Sequence, residues 1–247
     1  IFLFANEITG ESRFIFSGGV AMNSVAINKL AKLDFISEII IPPSPGDSGA
    51  AIGAAYYSFL QSNPSYLKKS AKINISEMLT PGHVNSNDHN EEFFMINYER
   101  VAKKNELIEV ASKLLSQNEI IATCYGNIET GPRALGHRSM ICNAHSMVAV
   151  KQLNEQIKKR SKFRPVAPSI LERNANKFFN LSEKIYDTYF TMGAVAEVMN
   201  AKSIEAVVHN DNTARVQLCK EDHILGKILK ELESKNIFVL ANTSFNI

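Results

Sequence analysis

Gly126-Asn-Ile-Glu-Thr-Gly-Pro-Arg-Ala-Leu-Gly-His-Arg-Ser-Met-Ile-Cys-Asn-Ala144 follows directly on Glu119-Ile-Ile-Ala-Thr-Cys-Tyr125. The apolar run predicts a buried strand, so the glycines and proline behind it fall where a strand ends and a site can open. Open α/β sheets bind their ligands at such strand ends. Gly126, Gly131 and Gly136 allow a close approach of backbone to ligand, while Arg133, His137 and Arg138 put cationic donors on the same turns. The implied ligand is an anion, a phosphate first of all. A solvated turn uses the same residue types, so the inference depends on the rest of the chain.

One familiar phosphate loop is excluded. The spacing from Gly126 to Gly131 fits G-x-x-x-x-G, but Pro132 and Arg133 stand where Lys and Ser or Thr are needed. Composition narrows the class further: 247 residues, 45% apolar and 21% charged, describe a globular chain of one large or two ordinary domains. A net charge of +2 argues against a general nucleic-acid binder, so any basic site is local. The 3 cysteines, Cys124, Cys142 and Cys219, form no C-x-x-C pair and suit a reducing cytoplasm rather than a disulfide framework. No apolar run reaches the ~20 residues of a membrane helix. The chain starts on Ile1 and stops at Ile247 after a strand-like run, as a piece of a longer protein would.

Working outward, Arg13–Phe16 reads as a strand, Ser17-Gly18-Gly19 as a turn and Val20–Leu30 as a helix. A second unit repeats this order: strand Ile36–Ile41, loop Pro42–Gly49, helix Ala50–Leu60. Two such units predict α/β layering. Gly18-Gly19 then suits a nucleotide against the backbone and Asp47 suits a divalent metal or a hydroxyl, although both are also ordinary turn residues. From Gln61 to Glu92 the periodicity dissolves, which marks the expected domain boundary. His83 and His89 lie there without partners at a metal spacing.

The second half opens with a helix over Tyr98–Gln117 and, after the glycine stretch, a helix over Val148–Lys159. That helix runs into Lys158-Lys-Arg-Ser-Lys-Phe-Arg164, where Lys159 and Lys162 suit a solvated helix end. Arg164 precedes a strand-like run to Leu171, which would hold it rigidly for a planar anion. Tyr189–Val198 reads as a strand. Asp211 and Arg215 flank a polar turn, either paired with each other or meeting a nucleotide. A helix over His223–Leu232 and a strand over Ile237–Phe245 close the chain.

Taken together, these segments resemble the bacterial O-carbamoyltransferases of the nodulation-protein type. The resemblance runs through Gly18-Gly-Val-Ala-Met-Asn23, Pro43-Ser-Pro-Gly-Asp-Ser-Gly49 with Gly53-Ala-Ala55, and Glu129-Thr-Gly-Pro-Arg-Ala-Leu-Gly-His-Arg-Ser139. It continues through Asn154 with Lys158 and Arg160, Phe163-Arg-Pro-Val-Ala-Pro168, Asp211-Asn-Thr-Ala-Arg-Val-Gln217 and Asn242-Thr-Ser-Phe-Asn246. It departs at Asn212, where the family usually has Gly, at Ser161, usually acidic, and at Val166, usually Phe.

The resemblance implies an α/β chain in two domains: residues 1–62 as the later part of an actin-like ATPase-fold (ASKHA) domain, 63–92 as a linker, and 93–247 as a truncated YrdC-like domain. It implies that the YrdC-like domain turns carbamoyl phosphate and ATP, with magnesium, into carbamoyl adenylate. A hydroxyl of a small-molecule or sugar acceptor then attacks this intermediate in the first domain. Arg133, Lys158, Arg160 and Arg164 are the expected catalytic residues. Gly18, Gly19, Asn23, Gly131, Pro132, Arg138, Ser139, Asp211, Arg215, Asn242 and Ser244 are expected to bind substrate or nucleotide. Asp47 is expected to ligate iron(II) or another divalent metal whose histidine ligands lie upstream. Two rivals remain at this stage: an enzyme that passes the adenylate to transfer RNA, and a non-catalytic nucleotide- or RNA-binding module. The near-neutral charge and the lack of interleaved aromatics speak against nucleic acid. Oligomeric state and acceptor are left open.

Overall fold

The computed structural model describes residues 1–68, 104–161 and 164–245. Most of the expected linker, His83, His89, the start of the helix read from Tyr98, Lys162, Phe163 and Asn246 lie outside the described residues.

Helix α1 (Phe2–Thr9) leads into β1 (Arg13–Ile15), which pairs in parallel with β2 (Glu38–Ile40). A parallel pair needs a crossover between its strands. A 3₁₀ turn over Gly19–Met22 and α2 (Ser24–Ala31) provide it, with Asn23 Oδ1 accepting from the Ala26 amide at 3.1 Å to cap α2. After the Pro-Gly loop comes α3 (Ser48–Ser62), which buries none of its residues and leaves Tyr57 and Phe59 exposed. Both strand-turn-helix units expected from the sequence are present.

The second part builds one seven-stranded mixed sheet. In chain order its elements are α4 (Lys104–Ser116), β3 (Ile121–Cys124), β4 (Arg138–Asn143), α5 (Met147–Lys151), β5 (Ala167–Leu171), β6 (Phe179–Asn180), α6 (Tyr186–Thr191), β7 (Ala194–Val198), β8 (Thr213–Cys219), α7 (Ile224–Leu232) and β9 (Val239–Ser244). The strand order is β3-β4-β9-β5-β8-β7-β6, with β5 and β8 parallel and the other described neighbours antiparallel. The central strands are buried on both faces, which explains their unbroken apolar runs. Successive side chains still divide between two cores, as a period of two requires. Met140, Cys142, Ile170, Val239 and Ala241 enter one core, while Ile141, Leu171 and Leu240 meet α4 and α7 in the other.

The first core also takes Ile27, Ala31, Ile36 and Ile39 from the N-terminal segment, beside Ala194, Ala196 and Val198 of β7. Lys32 reinforces the junction by donating to Glu197 at 2.9 Å. The N-terminal segment therefore covers one face of the large sheet.

Three expectations need correction. Tyr189–Val198 is not one strand: α6 ends at Thr191, and Gly193 turns the chain at φ +70, in the left-handed region, before β7 begins. The helix read over Val148–Lys159 is short, passing at Gln152–Ile157 into a π-helical turn and ending where Lys159 takes φ +48. β4 was not expected at all, because its residues looked like the tail of the glycine stretch; Arg138–Asn143 instead forms the second strand of the sheet, paired on both sides.

Candidate functional site

β9, β5 and β8 lie side by side, and their register brings Asn242 opposite Ala167, with Arg215 on β8 opposite Val195 of β7. These residues form the floor of a cavity of about 440 Å³. Arg133 enters its wall from the glycine stretch, directly after Pro132, and Arg160 and Arg164 enter from the segment that follows the π-helical turn. Ser244, at the end of β9, lines it as well. The N-terminal segment closes the opposite side with Ser24 and Val25, the first turn of α2.

The cavity gathers like charges. Among the described residues no salt bridge engages Arg133, Arg160, Arg164 or Arg215. Burial, and then the guanidinium groups of Arg133 and Arg160, hold Arg215 down to about 10. Burial lowers Arg133, and burial followed by repulsion from Arg164 lowers Arg160. The Nε of Arg215 is shielded from solvent and has no hydrogen-bond partner among the described residues. A fold that sets four cations around one hollow in this way is arranged for an anion, whose charge would relieve the repulsion. Lys158 stands at the edge: its Nζ donates to the Ser244 carbonyl at 2.9 Å, and burial and then Arg160 lower its pKa.

Other expected residues shape the site without lining it. Arg138 donates to the carbonyls of Tyr125, His137 and Gly126, at 2.9 to 3.0 Å, and so ties the start of the glycine stretch to β4 instead of facing the cavity. Ser139 is buried and accepts from the Gly136 amide at 2.9 Å. Gly131 has φ +114, and a Cβ there would stand 2.9 Å from the Pro43 carbonyl, so only glycine lets the stretch rest against the N-terminal segment. Arg133 spans the same junction, donating to the Met22 carbonyl at 3.3 Å.

Asp211 and Arg215 do not pair. The Asp211 carboxylate is exposed and accepts from the amide and hydroxyl of Thr213, at 3.2 and 2.6 Å. It lies outside the arginine cavity, which His209 lines in its place. Gly18 donates its amide to the Pro45 carbonyl at 2.7 Å, and Asn23 is spent on capping α2. Gly18, Gly19 and Asn23 thus set up the first turn of α2 but do not themselves line the cavity. Asp47 is exposed at the start of α3. Among the described residues no three of His, Cys, Asp and Glu gather, so Asp47 does not make a metal centre with them.

Three contributors were missed. Glu129 accepts from three backbone amides, those of Leu135 (2.7 Å), His137 (2.9 Å) and Arg138 (3.1 Å), and folds the glycine stretch around its carboxylate. Its place at the head of the Glu129–Ser139 motif was the available signal. Gln217, buried in β8, closes the Asp211–Gln217 motif but was not singled out within it, and only the sheet register brings it and His209 to the cavity.

Residues 112–247 match the family described as Carbamoyltransferase C-terminus, and residues 4–56 that described as Carbamoyltransferase N-terminus. The chain is similar to Nodulation protein NolNO of Sinorhizobium fredii, 30% identical over 249 residues, covering 98% of this chain and 36% of that protein. It is similar to Nodulation protein U of the same species, 31% identical over 244 residues, covering 98% and 41%. Nodulation protein NolO of Bradyrhizobium diazoefficiens is 29% identical over 246 residues, covering 97% and 44%. The chain thus spans about two fifths of the length of these relatives. Among solved structures it is similar to full-length HypF in its phosphate- and nucleotide-bound form, with a TM-score of 0.46, 19% identity, and coverage of 61% of this chain and 18% of that one. No helix among the described residues is long and apolar enough to cross a membrane.

Proposed function

Because the chain belongs to the carbamoyltransferase family, whose C-terminal domain matches residues 112–247, we propose that the arginine cavity is where its parent protein makes carbamoyl adenylate. Carbamoyl phosphate, ATP and one water give carbamoyl adenylate, pyrophosphate and phosphate. A hydroxyl oxygen of the acceptor then attacks the carbamoyl carbon, the bond to the adenylate oxygen breaks, AMP leaves, and the hydroxyl proton goes to solvent. The observation that carries this reading is the convergence of Arg133, Arg160, Arg164 and Arg215 on one cavity with no salt bridge among the described residues.

The residues supply what that chemistry needs. Both reactants and both leaving groups are anions, and fixed guanidinium groups stabilise charge as it shifts from the reacting phosphorus to the departing pyrophosphate. No nucleophilic side chain is required. Lys158 acts as a positioning residue, since it fixes the Ser244 carbonyl at the cavity edge. Magnesium accompanies ATP. Residues 93–247 form a YrdC-like domain in this reading, and residues 1–62, joined to it through 63–92, belong to an actin-like domain where transfer takes place, in the cytoplasm. The described residues do not build an iron site around Asp47, and no step is assigned to such a metal.

Full-length protein incubated with carbamoyl phosphate, ATP and magnesium should yield carbamoyl adenylate by mass spectrometry, with pyrophosphate released in equal amount. ATP left intact in the presence of carbamoyl phosphate would overturn the reading.

A further inference from the structure

His209 opens the turn that leads into β8, and the turn leaves it little freedom. Its amide donates to the Thr213 carbonyl at 2.7 Å, and the Asn212 amide donates to the His209 carbonyl at 3.0 Å. Asn212 takes φ +58, which Asn tolerates as Gly does, and its side chain donates to the Val198 carbonyl at 3.0 Å, mooring the turn to β7. The imidazole is fixed as well. Its Nδ1 lies 2.9 Å from Thr213 Oγ1, whose own hydrogen goes to the Asp211 carboxylate at 2.6 Å. A hydroxyl has one hydrogen to give, so Nδ1 carries the hydrogen of the bond between His209 and Thr213. Burial lowers the pKa of the ring, Asp211 raises it and Arg215 lowers it again, with a net fall, so the ring is neutral at pH 7. Nε2 is then an acceptor. It makes no hydrogen bond among the described residues and, unlike Arg215 Nε and Asn242 Oδ1, is not sealed from solvent.

His209 lines the arginine cavity. The other charged side chains among the described residues of its lining are all arginines, which do not give up their protons near neutral pH. His209 is therefore the one group in that lining able to take up a proton there. The chemistry calls for such a group, because water attacks an acyl carbon far faster when a base takes its proton as the bond forms. A base held in one tautomer by a hydroxyl, which a carboxylate holds in turn, is aimed in the way such chemistry requires.

We propose that His209 is the general base for the water consumed in the carbamoyl phosphate step, with Thr213 and Asp211 as its positioning residues. The inference rests on the adenylate-forming reading for the identity of the substrate. His209 Nε2 takes a proton from water as the water oxygen bonds to the carbamoyl carbon. The bond from that carbon to the phosphate oxygen then breaks, His209 returns the proton to the departing phosphate, and carbamic acid loses a proton to solvent. The carbamate so formed attacks the α-phosphorus of ATP, and pyrophosphate leaves. The arginines balance charge throughout, and His209 moves the proton.

The test gives full-length protein, with ATP and magnesium, two alternative donors: carbamoyl phosphate, which needs the water step, and freshly dissolved ammonium carbamate, which enters after it. His209→Asn keeps an N–H for Thr213 but has no base. From carbamoyl phosphate its phosphate release and adenylate formation should fall about a hundredfold or more. From carbamate its adenylate formation should stay within about threefold of the wild type. Thr213→Val, which frees the ring to turn, should show the same split at about tenfold. In water enriched in oxygen-18 the released phosphate should carry no label, since the bond that breaks is the one from carbon to oxygen. Equal losses with both donors would make His209 a wall of the cavity, and labelled phosphate would put the attack on phosphorus; either overturns the proposal. So would a wild type that uses carbamoyl phosphate but not carbamate. Phosphate release that depends on His209, with no adenylate from either donor, would sink the adenylate reading and leave the base standing. Adenylate formation from carbamoyl phosphate that survives His209→Asn would do the reverse.

Discussion

Arg215 shows what a cation gathered into a buried cavity costs the fold that carries it. Its pKa of about 10, lowered by burial and by Arg133 and Arg160, leaves it charged at pH 7. A base whose folded pKa lies below its unfolded value binds fewer protons folded than unfolded, so its charge opposes folding at every pH below that window. The penalty is on the order of 3 kcal/mol at most. Arg215→Met, similar in length and apolar, should therefore leave the ligand-free protein as stable as the wild type or up to about 2 kcal/mol more stable. It should lower adenylate formation by roughly a hundredfold or more. Thermal unfolding without ligand and a turnover assay check both halves; a ligand-free variant clearly less stable than the wild type would mean that Arg215 serves the fold. At this scale the sequence was informative where a residue type has one common use. Arg133 and Arg164 were legible as anion donors from their chemistry and setting, whereas Arg160 entered only through the family resemblance and Arg215 was open between pairing with Asp211 and meeting a nucleotide. Arg138 was not separable from them, because three backbone carbonyls occupy its donors and none of these is visible before the strand is formed.

At the scale of elements, α7 has a cap that depends on pH. His223 Nδ1 accepts from the Leu225 amide at 3.3 Å, which requires an unprotonated nitrogen. Burial, and then His137, push the ring down to about 4. Between pH 6.5 and about 4 the unfolded chain takes up a proton that the folded chain refuses, so the stability contributed by His223 is present above pH 6.5 and is lost as pH falls through that window. The loss approaches about 3 kcal/mol at its acid end. His223→Asn keeps a capping oxygen and does not titrate, so its urea midpoint should fall less than that of the wild type between pH 7 and pH 5. Equal falls in the two proteins would remove His223 from the acid response. Elements of one clear period were readable, α7 foremost, since its apolar positions Ile224, Leu225, Ile228, Leu229 and Leu232 mark one face. β7 was blurred into α6 because apolar residues run through both, and only the left-handed Gly193 separates them. β4 was hidden because both its faces are buried, so it lacks the alternation that announces a strand.

At the scale of the molecule, the two segments that the sequence divides are joined by a common core. Ile27, Ile36 and Ile39 of the N-terminal segment are at most 2% exposed, in the core that includes β7. Arg133 reaches Met22, Gly131 rests on Pro43, and Ser24 and Val25 wall the arginine cavity. Sequence composition placed the boundary between Gln61 and Glu92 but carried no sign of this junction, because long-range packing leaves no local period. Limited proteolysis should still cut first between Gln61 and Glu92, where breaker residues cluster. The products should then stay together. Three buried isoleucines contribute roughly 5–8 kcal/mol as an upper bound, a figure that corresponds to dissociation constants between about 200 μM and 1 μM before ordering costs. At about 1 mM the cut protein should elute from gel filtration as one species and separate into two bands only on a denaturing gel. It should also retain carbamoyl adenylate formation, since the cavity wall supplied by α2 stays in place. Two separate native peaks would mean that the segments are independent domains in mere contact, and that the cavity belongs to residues 93–247 alone.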